Sequence, residues 1–321
     1  MSAPAGRIVI LSDTHLANPG RGAGSAAALR TLWEGTSEVI FNGDVAEIAD
    51  EKLRGPAARQ VLELIDLAEA DGVKLTFISG NHDPLLTDRR YLRLANREIF
   101  VTHGDILHPA ISPWTDHAKH LQALHADAVL SLDPEKARDI DHQLAACQHA
   151  SVVQWDHFVT QPHSHEDANA LRRGLERFGL GRKVNRRSSQ GVKVAKALYY
   201  WYTIPRRAMG FARRFAPESR FFIFGHIHRA GIWHDDKPLT IGNDVVVPDG
   251  GRYIINTGAY QTPRNPRAVV IDGGELSVWP VKYNLKGHRF GEKPLAQYTL
   301  NNPAVPARHD GLDDDVTIVA A

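Results

Sequence analysis

Five short apolar segments of this chain each lead into a turn that carries Asp, Asn or His, in most cases beside glycine. The segments are rich in Ile, Val and Phe, a composition typical of strands buried on both faces. They cover residues 7–12, 38–41, 74–79, 98–102 and 220–224. Helical spacing of apolar residues over 56–70 predicts a helix between the second and third strands. Strands that alternate with helices predict an α/β layered fold.

The composition excludes several classes of protein. The single cysteine, Cys147, allows no intramolecular disulfide and no zinc ribbon. A net charge of +1, from 38 basic and 37 acidic residues, excludes a simple polycation that coats nucleic acid. Residues 1–7 lack the apolar core of a signal peptide, and no apolar run reaches the roughly 18 residues of a spanning helix. These features predict a cytoplasmic protein.

The polar residues at the strand ends form a set of metal ligands. Sequence-distant turns meet at the carboxyl ends of strands in an α/β sheet, so we expect these side chains to converge. Oxygen and imidazole donors without a thiolate suit Mn, Fe, Zn or Ni rather than calcium. The set is too large for one ion, and two metals bridged by a carboxylate would use it fully. Its members are Asp13, His15, Asp44, Asn81, His82, His103, His226 and His228.

The order of these blocks resembles the signature of the calcineurin-like metallophosphoesterases. The blocks are Asp13-x-His15, Gly43-Asp44, Gly80-Asn81-His82-Asp83, His103 and Gly225-His226-x-His228. The resemblance spans residues 13–228 and implies a four-layer α/β/β/α sandwich with a helical cap inserted. Many members carry Gly-Asp-x-x-Asp in the second block, where this chain has Glu47. We expect that difference to leave the metal ligands intact.

The resemblance also implies a role for each residue. One metal is expected on Asp13, His15, Asp44 and His228. The second is expected on Asp44, Asn81, His103 and His226, with Asp44 bridging. Manganese is the first expectation, and Fe, Zn or Ni are alternatives. A hydroxide between the metals is expected to attack the phosphorus in line, with His82 assisting the leaving group and Asp83 orienting the ring of His82.

The pattern of elements changes in the middle of the chain. Strand-like segments vanish and helical stretches follow at about 116–131, 134–157, 166–178 and 189–204, while residues 233–249 read as a loop between strands. The resulting division is 1–108 and 218–284 for the two halves of the core, 109–217 for a helical cap and 285–321 for a polar, partly disordered arm.

The segment Arg182–Arg220 contains eleven Lys or Arg residues and one acid, Glu218. One interpretation is an ordinary cap helix with a solvated basic face. The other is an element that binds an anionic, partly apolar substrate or lies on an anionic membrane at the inner face. Arg206 and Arg207 are then candidates for substrate contact. Aromatic residues among arginines also suit single-stranded nucleic acid, but no ordered stacking motif supports that partner.

These observations predict a metal-dependent hydrolase that acts on a phosphodiester or a phosphomonoester. One alternative is a membrane-surface pyrophosphatase, because His103-Gly104-Asp105 and Gly225-His226-x-His228-Arg229 resemble the UDP-diacylglucosamine pyrophosphatase branch. That branch typically has Arg where this chain has His82, and its helical insert is shorter. A further alternative is a non-catalytic protein-binding scaffold of the same fold, although scaffolds lose ligands that this chain retains.

Overall fold

The computed structural model describes most of the chain and divides it into two compact units. One unit combines Met1–Gly104 with Ala208–Ala321, and the other is Asp105–Arg207. The described residues are 6–19, 22–115, 117–160, 184–235, 239–241, 244–246, 251–260, 266–284 and 287–302.

The first unit contains a seven-stranded sheet built around its N-terminal strand. Strand β1 (Ile8–Leu11) lies between the parallel β2 (Glu38–Asn42) and the antiparallel β11 (Arg267–Asp272), and β3 (Lys74–Ile78) continues beyond β2. Beyond β11, β12 pairs with both β13 and β14. These last three strands are Glu275–Asn284, Gly287–Phe290 and Ala296–Thr299.

A second, five-stranded sheet belongs to the same unit. Its order is β4-β5-β6-β10-β7, with the three central strands parallel and both edges antiparallel. The strands are Tyr91–Leu94 (β4), Ile99–Thr102 (β5), Phe221–Phe224 (β6), Gly231–Asp235 (β7) and Arg252–Asn256 (β10). A separate hairpin consists of β8 (Leu239–Ile241) and β9 (Asp244–Val246).

The two sheets pack face to face, and helices cover their outer surfaces. Fully buried side chains such as Ile8 and Ile10 from one sheet meet Ile223 and Ile255 from the other. On the outer face of the first sheet, α1 (Ala26–Leu29) and α2 (Arg54–Ala70) bury a second core cluster. On the second sheet, Phe211 from the helix before β6 contacts Phe222, with ring centroids 5.9 Å apart. The predicted four-layer α/β/β/α sandwich is confirmed.

The second unit is helical. It contains α3 (Ala118–Leu130), α4 (Ile140–Thr160) and most of α5 (Val184–Phe215), with single 3-10 turns at Asp105–Leu107 and Lys136–Arg138. Leu121 on α3 packs with Cys147 and Ala150 on α4, and Cys147 is buried. The predicted helix at 166–178 lies outside the described residues.

Helix α5 is longer than the sequence predicts, because it does not end before Pro205. Proline removes one backbone donor and disfavours the helix interior. Here the Thr203 hydroxyl donates to the Tyr199 carbonyl at 3.1 Å, within the turn that precedes the proline. A side of the helix that includes Tyr200 and Ile204 is fully buried. Burial of that side outweighs the local penalty.

The C-terminal region is more ordered than the predicted arm at 285–321. Strands β13 and β14 add to β12 there, and the Glu98 carboxylate accepts hydrogen bonds from the backbone of Asn301 and Asn302. Residues 303–321 lie outside the described residues. Part of the predicted loop at 233–249 also forms strands, since β7 reaches Asp235 and β8 and β9 follow. No described helix has the length and apolarity to cross a bilayer.

The helical spacing of the sequence predicts Val61, Leu62, Ile65 and Ala68 as the apolar face of α2, and only Val61 and Ala68 of these are buried. The structure buries Val61, Leu64 and Ala68, whereas Leu62 is 60% exposed and Ile65 is 41% exposed. We therefore expect Leu64→Ala to lower the free energy of unfolding by about 2–5 kcal/mol, because it leaves a cavity. Leu62→Ala on the same helix is the control and should cost less than about 0.5 kcal/mol. Urea unfolding measures both, and equal losses would contradict the assigned buried face.

Candidate metal centre

The polar residues predicted to bind metal meet at one end of the sandwich. Asp13 follows β1, Asp44 follows β2 and the Gly80–Asp83 turn follows β3, while His103 follows β5 and His226 follows β6. Asp13, Asp44, His103 and His226 are each at most 1% exposed. The carboxyl ends of strands from both sheets thus supply the site, as expected for ligands in α/β folds.

The backbone at these turns adopts a conformation that side chains rarely accept. Asp13, His15, Asp44, His226 and His228 all have φ between 44° and 67°. They make up half of the ten non-glycine residues with positive φ in the described chain. Such conformations cost of order 1–3 kcal/mol each and persist only where the surroundings hold them, so their concentration here marks a functional site.

Hydrogen bonds between the turns hold this backbone in place. The amide of Asp13 donates to the carbonyl of Gly43 at 3.1 Å, and that of His15 donates to the carbonyl of Asp44 at 2.9 Å. The Asp13 carboxylate accepts from the amide of His226 at 2.9 Å, which links a turn of the first sheet to a turn of the second. Residues of the site itself therefore link the two sheets at this end of the sandwich.

Two glycines are required by close approach of the carboxylates. A Cβ at Gly80 would overlap the Asp44 carboxylate, and a Cβ at Gly225 would overlap that of Asp13. Glycine is the residue that lets a backbone approach another group this closely. These two positions explain why the Gly80-Asn81-His82 and Gly225-His226 blocks begin as they do.

The possible ligand atoms form three groups, of which two share Asp44 and the third consists of His15, Glu47 and His82. Asp13, His15, Asp44 and His228 form the first group, and Asp44, His103 and His226 form the second. Within each group the candidate ligand atoms lie within 4.8 Å of one another. His228 Nε2 is 3.3 Å from Asp13 Oδ1, and His103 Nε2 is 3.3 Å from Asp44 Oδ2. Asn81 is buried in the turn after β3, one residue before His82.

The imidazoles are oriented as metal ligands would be. His103 Nδ1 lies 3.1 Å from the Asn42 carbonyl, so Nδ1 donates and Nε2 presents its lone pair towards Asp44. His15 is held similarly, with Nδ1 donating to Glu47 Oε1 at 3.0 Å and Nε2 3.9 Å from Asp44 Oδ2. A lone pair that faces a carboxylate is repelled unless a cation or proton lies between them. The donor set therefore fits a divalent metal.

Glu47 is the functional residue that the sequence analysis set aside. Its buried carboxylate accepts from Nδ1 of His15 through one oxygen and from Nδ1 of His82, at 2.6 Å, through the other. Asn18 Nδ2 donates to it as well, at 2.7 Å. The signal was present in the sequence, since Glu47 stands where the family pattern has its second Asp. Glu47 therefore orients a metal ligand and His82 together.

Asp83 does not orient His82, contrary to the prediction. Its carboxylate is fully buried and accepts hydrogen bonds from the backbone amides of Gly80 at 2.7 Å, Val45 at 2.6 Å and Asp44 at 3.2 Å. These bonds join the turn after β3 to the turn after β2. Because the Asp83 carboxylate binds three backbone amides, its role is to hold the two turns together. Glu47 is the residue that orients His82.

The charges of the site shift several pKa values. Burial by itself raises the pKa of Asp13 and of Asp44. The neighbouring imidazoles outweigh this effect, so the pKa of Asp13 is lowered by His228 and the pKa of Asp44 is lowered by His103. Burial lowers the pKa of His82, yet the charges of Asp44 and Glu47 prevail and raise it to about 10. Burial raises the pKa of Asp83 to about 6, helped by the charge of Asp44. Bound cations would oppose the shift of His82.

Arg206 and Arg207 lie on α5 in the helical unit. Arg206 is exposed and Arg207 is partly buried. Their role in substrate binding stays a prediction.

Comparison with known proteins identifies the family. Residues 6–230 match the model of the family described as calcineurin-like phosphoesterase. That match covers more than half of the chain, and the chain therefore belongs to this family. No curated protein matches the sequence.

Solved structures of similar fold come from several organisms. Vps29 from Chaetomium thermophilum is 11% identical, with 92% of this chain and 98% of that chain covered and a TM-score of 0.38. A dimetal phosphatase from Danio rerio is 10% identical, with 86% and 96% covered and a TM-score of 0.38. Wild-type Vps29 from Entamoeba histolytica, complexed with zinc, is 9% identical, with 90% and 98% covered and a TM-score of 0.34. At these TM-scores the likenesses carry no argument about activity.

The different contacts of Glu47 and Asp83 predict different defects. Glu47→Ala removes the acceptor that orients His15, so metal affinity should fall about 10–100-fold, measured by competition with a chelator. Asp83→Asn places an amide group against backbone donors, so the free energy of unfolding should fall by about 1–3 kcal/mol or more.

Glu51→Ala, at an exposed acid near Glu47, is the control and should change neither quantity. An Asp83→Asn variant with unchanged stability and an altered imidazole NMR titration of His82 would return the orienting role to Asp83.

Proposed function

We propose that this protein hydrolyses a phosphodiester or a phosphomonoester with the help of two divalent metal ions. The observation that carries the proposal is the sharing of Asp44 between two adjacent groups of buried ligands. A carboxylate in that position is the expected bridge of a two-metal site. Membership of the calcineurin-like phosphoesterase family supports the same reaction class.

Each of the two groups that share Asp44 is assigned to one metal. Asp13, His15, Asp44 and His228 would hold the first, and Asp44, Asn81, His103 and His226 would hold the second. We propose manganese, with Fe, Zn or Ni as alternatives, because oxygen and nitrogen donors of this kind accept several ions. When bound, two such ions lower the pKa of water and neutralise negative charge on phosphoryl oxygens.

His82 is the residue that we assign to the leaving group. Its side chain is 32% exposed, whereas the carboxylates and most imidazoles of the site are buried, so a substrate can reach it. The bond from Nδ1 to Glu47 fixes the ring and makes Nε2 the nitrogen that donates a proton to the departing oxygen. Glu47 stabilises the protonated imidazole and acts as a positioning residue.

Paired substrates and two variants test this proposal. We expect Mn²⁺-dependent turnover of p-nitrophenyl phosphate, bis-p-nitrophenyl phosphate or both, with loss of activity in a chelator. Asp44→Asn removes the carboxylate that both groups of ligands share, so it should abolish turnover through loss of metal. His82→Ala should retain metal and, on an alkyl phosphoester whose leaving oxygen needs a proton, lose about 10²–10⁴-fold in kcat, the usual worth of general acid catalysis. His142→Ala, at a histidine on α4 bonded to Asp139, is the control and should leave turnover unchanged.

Metal content distinguishes this proposal from the scaffold alternative. A protein-binding scaffold predicts no stoichiometric Mn, Fe or Zn and no turnover of either substrate. A His82→Ala variant that is fully active on the alkyl phosphoester would leave the hydrolase in place and contradict only the role given to His82.

A second candidate function is a membrane-surface pyrophosphatase that acts on a nucleotide-linked lipid such as UDP-diacylglucosamine. The specific observation in its favour is the exposed surface of α5. Leu198, Tyr199 and Tyr202 are 55%, 66% and 71% exposed, and the helix contains eight Lys or Arg residues and no acid. Positions 198, 199 and 202 lie on one face of a helix. Aromatic and aliphatic residues beside basic ones favour the surface of an anionic membrane.

Co-sedimentation with vesicles tests this second candidate. We expect binding to vesicles that contain phosphatidylglycerol and none to phosphatidylcholine alone. The double variant Leu198→Gln with Tyr202→Ser should weaken binding about tenfold, because it removes apolar surface from the interface. Leu130→Gln, at an 81% exposed leucine on α3, is the matched control. Failure of the wild type to pellet with anionic vesicles would discard the candidate and leave the hydrolase proposal standing.

A further inference from the structure

The helical unit contains a cavity of about 280 Å³ that the proposed hydrolysis does not use. It lies among the loop before α3, the first turns of α3 and the middle of α5. Its volume lies just below the roughly 300–1,000 Å³ typical of small-molecule sites, so we expect a small ligand.

The floor of the cavity is apolar and buried. Ala110, Pro113 and Ala118 line it, together with the ring of Tyr200, which is 2% exposed. The Tyr200 ring packs edge-on against His108, with centroids 5.1 Å apart, and in a tilted arrangement against Trp114, with centroids 5.6 Å apart. Flat aromatic and small aliphatic walls of this kind favour a planar apolar ligand.

One polar group is buried at this floor. The Tyr200 hydroxyl has no hydrogen-bond partner among the described residues. Burial raises the pKa of Tyr200, so the hydroxyl stays protonated and is a donor. Because the oxygen itself is buried, the ring of Tyr200 and not its hydroxyl is the part that a ligand in the cavity would contact.

His108 adds a neutral donor to the cavity wall. Burial and the charge of Arg207 lower the pKa of His108 to about 4, so its ring is neutral near pH 7. Its Nδ1 accepts a hydrogen bond from the amide of Ala110 at 3.0 Å, so the ring proton is on Nε2. The wall therefore offers donors and no carboxylate, since none of the lining residues is Asp or Glu.

The rim of the cavity is positively charged. Lys119 on α3 and Lys196 on α5 line it from two different helices, and both are exposed. Gln122 and Tyr199 complete the rim. Two cations that flank an apolar floor complement an anion attached to a flat apolar body.

We propose that this cavity binds a small anionic aromatic molecule, with its ring system against Tyr200 and its anionic group between Lys119 and Lys196. The proposal concerns binding in the helical unit and holds whether or not the metal centre hydrolyses phosphoesters.

Calorimetric titration with naphthalene sulfonate tests the proposal, because this probe has a bicyclic ring, one negative charge and no phosphoester bond. Naphthalene methanol is the uncharged comparison. We expect saturable one-to-one binding of the sulfonate, weaker at high ionic strength, and at least fivefold weaker binding of the alcohol. Lys119→Met and Lys196→Met should each weaken the sulfonate about fivefold and leave the alcohol unchanged.

Two further variants locate the site. Gln122→Trp places a large ring at the mouth of the cavity and should weaken both probes more than tenfold, with an unchanged circular dichroism spectrum. Lys136→Met removes an exposed lysine elsewhere in the same unit and should have no effect. Absence of saturable binding to the wild type would overturn the proposal. So would equal affinities for the sulfonate and the alcohol, or equal losses in Lys136→Met and Lys196→Met.

Discussion

The buried carboxylate of Asp44 is the group on which this end of the molecule depends. Removing this charge from water costs free energy. Neighbouring imidazoles and a hydrogen bond from the His82 amide at 2.8 Å offset that cost, and bound cations would offset it further. Asp83, a second buried carboxylate, holds the turn that presents Asp44. The two sheets are joined at the same edge through Asp13 and His226. Metal affinity and the packing of the sandwich are thereby coupled.

The buried strands and the turns that carry the ligands could be predicted from the sequence, because both depend on local sequence constraints. Strands buried on both faces need continuous apolar segments, and the turns after them need glycine where carboxylates approach the backbone. Both features are visible in the blocks around Asp13, Asp44 and His226. The number of donors, with no thiolate among them, indicated two divalent ions without knowledge of the distances. The structure brings those donors together in adjoining groups, two of which share Asp44.

The remaining features depend on tertiary contacts that a linear pattern does not encode. Asp83 follows His82 directly, which suggested a pair, but the carboxylate turns towards backbone amides and Glu47 supplies the partner from 35 residues earlier. The strands β13 and β14 are short and polar, and they exist because β12 offers them an edge. On α5, the predicted helix ends at about residue 204, whereas the structure continues it through Pro205 to Phe215, with Tyr200 and Ile204 buried.

The position of β1 has a consequence for the order of folding. This strand, which leads into Asp13, pairs on one side with β2 and on the other with β11, where Ile8 lies opposite Ile271. During synthesis the helical unit is made before β11. Asp13 therefore lies at the end of a strand whose sheet still lacks β11. Pairings of such long sequence separation form slowly and leave strand edges open meanwhile. The edge of β1 that pairs with β11 therefore stays open until residues 267–272 have been synthesised.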